Sequence, residues 1–167
     1  MTRLDAGGVA LPQGVRPIEA VPAASGLRVA LVAARFNDVI VSGLVQGACA
    51  AWERRGGQAD ALDVVRVPGA FELPVAAQRL AQSGRYQAVV ALGCVIRGDT
   101  PHFDYVAGET ARGLMNASLA TGVPVVFGVL TVENEAQARE RADVARLDKG
   151  GEAMDAALEM AQLLRRL

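Results

Sequence analysis

The sequence predicts an α/β protein, a three-layer α/β/α sandwich around a four-stranded parallel sheet. Three observations predict it. Strand-like and helix-like segments alternate four times after residue 26. The central strand segments are apolar throughout, as strands covered on both faces must be, and do not alternate with polar residues. The segments between them carry helical spacing and are long enough for right-handed crossovers.

Residues 1–26 are rich in Gly, Pro and Ala and lack periodicity, so they are expected to form a flexible arm. Pro17 and Pro22 argue against a helix there and leave residues 15–21 extended against another element. The single domain is expected over 27–167. Its first strand is Leu27–Ala33. A helix follows over Asp38–Gly56, with Val41, Leu44, Val45, Ala48 and Trp52 on one face, and Gly56-Gly57 stops it. Ala61–Val67 is the second strand and Glu72–Ser83 the second helix, ended by Gly84. Tyr86–Ile96 is the third strand, nearly all apolar. Pro101–Thr121 is a long helix closed by Gly122, and Val123–Thr131 is the fourth strand. Helices over Glu135–Arg146 and Gly150–Leu167 complete the chain.

Composition narrows the function. The 167 residues suit one domain with one buried core. Hydrophobic residues make up 51% and the mean hydropathy is +0.24. Much of the excess is alanine, which favours tight helix packing and subunit contacts over lipid. No apolar run reaches the roughly 18 uncharged residues of a membrane span, and no basic segment followed by an apolar core marks a secretory signal. Seventeen basic residues against eighteen acidic ones give a net charge of −1, without the basic excess that nucleic-acid binding requires. Cys49 and Cys94 lie in apolar stretches and read as small core residues in a reducing, cytoplasmic compartment. One histidine and two separated cysteines make no metal cluster. Neither a G-x-G-x-x-G turn nor a phosphate-binding G-x-x-x-x-G-K-[ST] loop occurs, so no nucleotide cofactor is expected.

In open parallel sheets ligands bind beyond the carboxyl ends of the strands. Those segments here are Arg35-Phe36-Asn37-Asp38, Pro68-Gly69-Ala70-Phe71-Glu72, Arg97-Gly98-Asp99-Thr100-Pro101-His102-Phe103-Asp104, and the stretch from Phe127 to Asn134. They hold all four phenylalanines and the only histidine. Aromatic side chains gathered on one edge suit a flat heterocycle, although helix packing at strand ends also calls for bulk. Thr100 as N-cap and Pro101 as first helical residue would start the third helix. Its free N–H groups could hold an anion, or the helix could simply be capped with nothing bound. His102 in the first turn could carry protons near neutral pH, or be merely exposed. Glu72 could accept hydrogen bonds from a polyol or complement a helix dipole. Arg141, with Arg139 nearby, could meet a phosphate or stay solvated. Lys149, the only lysine, fits a helix start better than a Schiff base.

Taken in order, Arg35-Phe36-Asn37, Pro68-Gly69-Ala70-Phe71-Glu72-Leu73-Pro74, Gly93-Cys94-Val95-Ile96-Arg97-Gly98-Asp99-Thr100, His102-Phe103-Asp104-Tyr105-Val106, Phe127-Gly128-Val129-Leu130-Thr131 and Lys149-Gly150-Gly151 resemble the 6,7-dimethyl-8-ribityllumazine synthase family over about residues 27–165. The resemblance implies a flavodoxin-like sandwich whose N-terminal arm adds a strand to a neighbouring subunit's sheet. It implies the penultimate step of riboflavin biosynthesis: 5-amino-6-(D-ribitylamino)uracil condenses with 3,4-dihydroxy-2-butanone 4-phosphate, without cofactor or metal. By position, Phe36 would stack on the pyrimidine. Ala70, Phe71 and Glu72 would hold the ring edge and ribityl chain, and Cys94, Val95 and Ile96 would supply backbone contacts. Asp99 and Thr100 would receive phosphate, and His102 would shuttle protons. Phe127 and Arg141 would come from a neighbouring subunit, one to the ring pocket and one to the phosphate. The substrate's own amine forms the imine, so Lys149 need not act as a nucleophile.

The resemblance further implies a homopentamer, and the short link from Arg141 to Lys149 leaves an icosahedral shell of twelve pentamers open. Riboflavin synthase is a candidate partner. Asp148, Pro101 and Val132 depart from the family's usual residues. The competing reading is a non-catalytic flavin-binding or shell-forming homologue. A flavodoxin would carry a Ser/Thr/Gly-rich loop where Ala34-Arg35-Phe36-Asn37 stands, and an inactive homologue should have lost His102 or the phosphate loop.

Overall fold

A computed structural model describes residues 10–167. The first nine residues of the expected arm lie outside the described residues. Residues 11–26 form no helix or strand, and Val15, Ile18 and Val21 are exposed. From Glu19, whose carbonyl accepts from Arg166, the chain is tied to the body. The Gln162 amide donates to the Ala23 carbonyl at 2.8 Å, Arg165 donates to Gly26, and Ala24 and Leu27 are buried.

The sheet contains β1 (Val29–Ala34), β2 (Leu62–Val67), β3 (Ala88–Ile96) and β4 (Val125–Val132). Their order is β2-β1-β3-β4 and every neighbouring pair is parallel. All six residues of β1 and the first seven of β3 are buried, which is why these segments read as continuous apolar runs. Strands β2 and β4 are the edges and carry exposed residues.

The helices are α1 (Asp38–Arg54), α2 (Leu73–Gln82), α3 (His102–Thr121), α4 (Glu135–Ala142) and α5 (Lys149–Leu164). Successive strand residues point to opposite faces. Leu31, Ala33, Val90 and Leu92 therefore pack under α1, α4 and α5. Val32, Val89, Ala91 and Val129 pack under α2 and α3. The chain leaves β1 through α1 toward β2, and leaves β3 through α3, on the opposite face, toward β4. The order of strands thus reverses between β1 and β3, which opens a crevice at their carboxyl ends.

Boundaries moved where backbone chemistry overrode the apolar pattern. Helix α1 ends at Arg54. Gly56 adopts φ 83°, and Gly57 is required because a Cβ there would lie 2.1 Å from the buried Trp52 ring. Helix α4 stops four residues earlier than the expected Arg146, and residues 143–147 turn back through bonds such as Asp148 N–H to the Asp143 carbonyl at 3.0 Å. Lys149 does begin a helix. The Asp148 side chain caps it by accepting from the Gly151 N–H at 3.0 Å. Gly150 lets α5 close on α1, since a Cβ there would lie 2.0 Å from the Leu44 carbonyl oxygen, and Gly151 leaves room for the Asp148 cap.

Candidate active site

The site grows from the carboxyl ends of β1, β2 and β3. Past the sheet, the β1–β2 ladder continues for two more bonds: Arg35 N–H donates to the Val67 carbonyl at 2.8 Å, and Phe36 N–H to the Pro68 carbonyl at 3.0 Å. The segments after the two strands therefore run side by side. Asn37 then turns the chain into α1 with φ 59° and ψ 44°, a left-handed conformation that asparagine tolerates better than most residues. After Gly69, a short 3-10 turn over Ala70–Glu72 leads into α2. The hydroxyl of Thr110, fully buried on α3, donates to the Ala70 carbonyl at 3.1 Å and fixes that turn.

Strand β3 supplies the floor. Its last pairing with β1 is Ala33 with Leu92, whereas its pairing with β4 continues to Ile96 and Val132. Residues 93–96 therefore present one backbone edge without a strand partner. Backbone N–H and C=O groups so exposed are available to a ligand's polar edge. The Asn37 amide takes one of them, donating to the Cys94 carbonyl at 2.9 Å. The Cys94 thiol is pushed up to about 11 by burial, which keeps it protonated and chemically quiet at neutral pH.

The loop from Arg97 to Pro101 leads into α3. The structure corrects the expected cap. Pro101, with φ −63° and ψ −2°, occupies the position before the helix, and His102 is its first residue. Thr100 is not the cap residue, and its hydroxyl accepts only a long, weak bond of 3.5 Å from the His102 N–H. Proline's ring already fixes a helical φ, so Pro101 brings the chain into the helical region without help from Thr100. The first-turn N–H groups consequently lack a side-chain cap, which strengthens the anion-site reading of this helix start. At Gly98 an added Cβ would meet nothing within 4 Å, so the protein itself imposes no steric need for glycine there. Arg97 holds the loop in shape. It pairs with Glu133 at 2.9 Å and Asp104 at 3.3 Å, and its guanidinium lies 4.1 Å from the Phe103 ring centre.

These segments enclose an open cavity of about 780 Å³, within the range of small-ligand sites. Phe36, Ala70, Phe71, Glu72, Cys94, Val95, Ile96, Thr100 and His102 all line it. Phe36 and Phe71 are 71% and 59% exposed, so most of their ring surface is free to stack. The Glu72 carboxylate makes no hydrogen bond or ion pair among the described residues and lies beside Gly69. Asp99 sits between two lining residues without lining the cavity itself. Phe127 and Arg141 are not part of it. Phe127 pairs with Ala91 in mid-strand, away from the carboxyl edge where its neighbours in sequence suggested it would be. Arg141, on α4, donates to the Gln137 carbonyl at 3.1 Å.

Sequence reasoning did not single out Tyr105 and Val106, which line the cavity, nor Asn37 and Thr110, which hold its walls. Tyr105 and Val106 follow His102 by one helical turn, and that spacing was the available signal. The roles of Asn37 and Thr110 come from contacts across 57 and 40 residues, which no local pattern reveals.

Comparison with known proteins agrees with this geometry. Residues 26–165 match the model of the 6,7-dimethyl-8-ribityllumazine synthase family. A protein of that name from Thermococcus gammatolerans is 52% identical over 153 residues, covering 92% of this chain and 97% of the relative. One from Deinococcus radiodurans is 51% identical over 150 residues, with 90% and 97% covered. A third, from Nitratidesulfovibrio vulgaris, is 50% identical over 153 residues, with 92% and 98% covered.

Proposed function

This chain belongs to the 6,7-dimethyl-8-ribityllumazine synthase family, and from that premise we propose how its own residues carry out the reaction. The enzyme condenses 5-amino-6-(D-ribitylamino)uracil with 3,4-dihydroxy-2-butanone 4-phosphate to give 6,7-dimethyl-8-ribityllumazine in riboflavin biosynthesis. The observation that carries the assignment of roles is the convergence of three strand ends and the uncapped start of α3 on one cavity.

The pyrimidine ring stacks on Phe36, and its polar edge meets the backbone at the end of β3, over Cys94, Val95 and Ile96. Ala70, Phe71 and Glu72 bracket the ring and the ribityl chain, with the Glu72 carboxylate accepting from the polyol hydroxyls. The phosphate of the second substrate lies against the backbone of Asp99 and Thr100 at the helix start, where N–H groups and the helix dipole favour an anion. Held this way, the 5-amino group faces the ketone carbonyl, and orientation lowers the barrier to imine formation. The nitrogen attacks carbon, and water leaves as the imine forms. Loss of a proton from the adjacent carbon then expels phosphate, whose charge the helix start stabilises. The enol so formed tautomerises to a ketone, and attack of the ribityl-bearing nitrogen on that carbonyl closes the ring with loss of water. His102, exposed at the mouth of the cavity, takes and returns the protons in these steps.

Family membership implies that the chain works as an oligomer. The finer picture is a pentamer in which Phe127 and Arg141 complete a neighbour's cavity, which accounts for their distance from their own. Exposed Val39, Val75, Tyr105, Met115 and Leu119 are apolar surface of the kind that subunit contacts cover. Residues 15–21 of the arm add a strand to a neighbour's sheet, and 27–167 form the catalytic domain. Closure of twelve pentamers into a shell, association with riboflavin synthase, and a cytoplasmic location belong to the same proposal. No helix among the described residues is long and apolar enough to cross a membrane.

The test is to mix both substrates with the protein and follow the lumazine's absorbance and fluorescence. Product at a rate above the uncatalysed condensation supports the assignment. No acceleration, with flavin or lumazine still bound, would favour the non-catalytic homologue.

A further inference from the structure

We propose that Asn37 is a positioning residue that sets the geometry of the ring pocket, acting through Phe36 and the end of β3. The inference rests on the assignment of this cavity to the ribitylaminouracil ring. Asn37 stands at the cap position of α1, where an asparagine side chain normally accepts from a backbone N–H of the first turn. It makes no such bond. Its amide instead donates to the Cys94 carbonyl at 2.9 Å, across the crevice where the strand order reverses. A residue type suited to capping has thus been diverted from its helix to the cavity wall.

Two consequences follow for the pocket. Past Leu92, β3 has no strand partner on its β1 side; Asn37 supplies the missing link at Cys94 and leaves the Ile96 backbone free on the same edge, while Val95 is held in the ladder with β4. Phe36 is 71% exposed, so little side-chain packing holds its ring. Its direction is set by its backbone, clamped on one side by the Phe36–Pro68 bond and on the other by the left-handed turn at Asn37. The two surfaces that would sandwich and edge-bind the ring are therefore tied by one side chain. Asn37 is not itself among the residues lining the cavity.

The test uses Asn37→Gly and Asn37→Asp in the full chain. Glycine keeps the left-handed turn at no steric cost and removes only the amide. Aspartate keeps the shape, but its ionised carboxylate cannot donate. The readouts are the Kd of 6,7-dimethyl-8-ribityllumazine from its fluorescence, the KM of each substrate, and the unfolding midpoint. Asn37→Gly is expected to weaken lumazine binding and raise the KM for the uracil about 10-fold, the scale of one hydrogen bond, with the KM for the ketone phosphate unchanged. Asn37→Asp is expected to bind weakly at neutral pH and to recover as its carboxyl protonates and becomes a donor, a recovery absent from the parent protein. Equal effects on both KM values, or a lowered midpoint with unchanged Kd and no recovery at low pH, would reduce Asn37 to a structural tie and overturn the proposal. The Kd is read without turnover, so a parent protein that binds lumazine but fails to make it would count against the catalytic reading alone.

Discussion

The buried hydroxyl of Thr110 donates to the Ala70 carbonyl across 3.1 Å, joining the turn that carries Phe71 and Glu72 to the helix that carries His102. Thr110→Val keeps the volume and removes the donor, leaving the Ala70 carbonyl with only the Leu73 N–H. Urea unfolding should show a loss of about 0.5–1.5 kcal/mol, the net worth of one hydrogen bond, accompanied by a raised KM for the uracil as the turn shifts. A variant as stable as the parent would show that the turn is held by other contacts.

His102→Ala should lower kcat on the order of 10²–10⁴-fold, the usual worth of general acid–base help. Because His102 is exposed at the helix start, lumazine binding measured by fluorescence should survive. An unchanged rate would remove His102 from the mechanism.

Gly150→Ala pits two effects against each other. Alanine favours a helix over glycine by about 1 kcal/mol at an interior position, and less in a first turn. The new Cβ would lie 2.0 Å from the Leu44 carbonyl oxygen, a backbone atom that cannot swing away, and overpacking of this kind costs about 1–3 kcal/mol or more. The clash should win, and the denaturation midpoint should fall. A rise would mean that α1 and α5 can separate freely.

The Cys94 thiol gives a signature at high pH. Burial raises it from its ordinary 9.0 to about 11. The neutral thiol is the form the fold accommodates, so its stability is intact below pH 9. Between pH 9 and 11 the unfolded chain releases this proton and the folded one does not. Stability should therefore fall across that window by on the order of 2–3 kcal/mol. Cys94→Ala should show a correspondingly flatter pH profile there. Parallel profiles for the two proteins would mean that the thiol is not held protonated by the fold.

The fold was legible because its strongest signals are physical necessities. Strands β1 and β3 must be apolar on both faces, and glycines must stand at 57 and 150, where a side chain would strike Trp52 or Leu44. Nine proposed site residues lie together because strand ends in a parallel sheet share one edge. What could not be read was long-range and polar: the diversion of Asn37 to Cys94, the clamp from Thr110 to Ala70, and the three-way contact of Arg97. Phe127 shows the other limit. A scarce aromatic in strand four suggested the same carboxyl edge, but its register with Ala91 places it in mid-strand, and register depends on pairing that a single strand does not encode.

Separation of Phe127 and Arg141 from their own cavity leads to the central claim, that each active site is completed by a second copy of the chain. Arg141→Ala alone should raise the KM for the ketone phosphate more than that for the uracil. The direct measurement is complementation: His102→Ala and Arg141→Ala chains are unfolded, mixed in equal amounts and refolded together. If sites are shared, about a quarter of them in randomly mixed oligomers pair an intact His102 with an intact neighbouring Arg141. Activity at low ketone phosphate should then rise well above the average of the two variants refolded separately. Activity equal to that average would place both residues in one subunit's site and contradict the account.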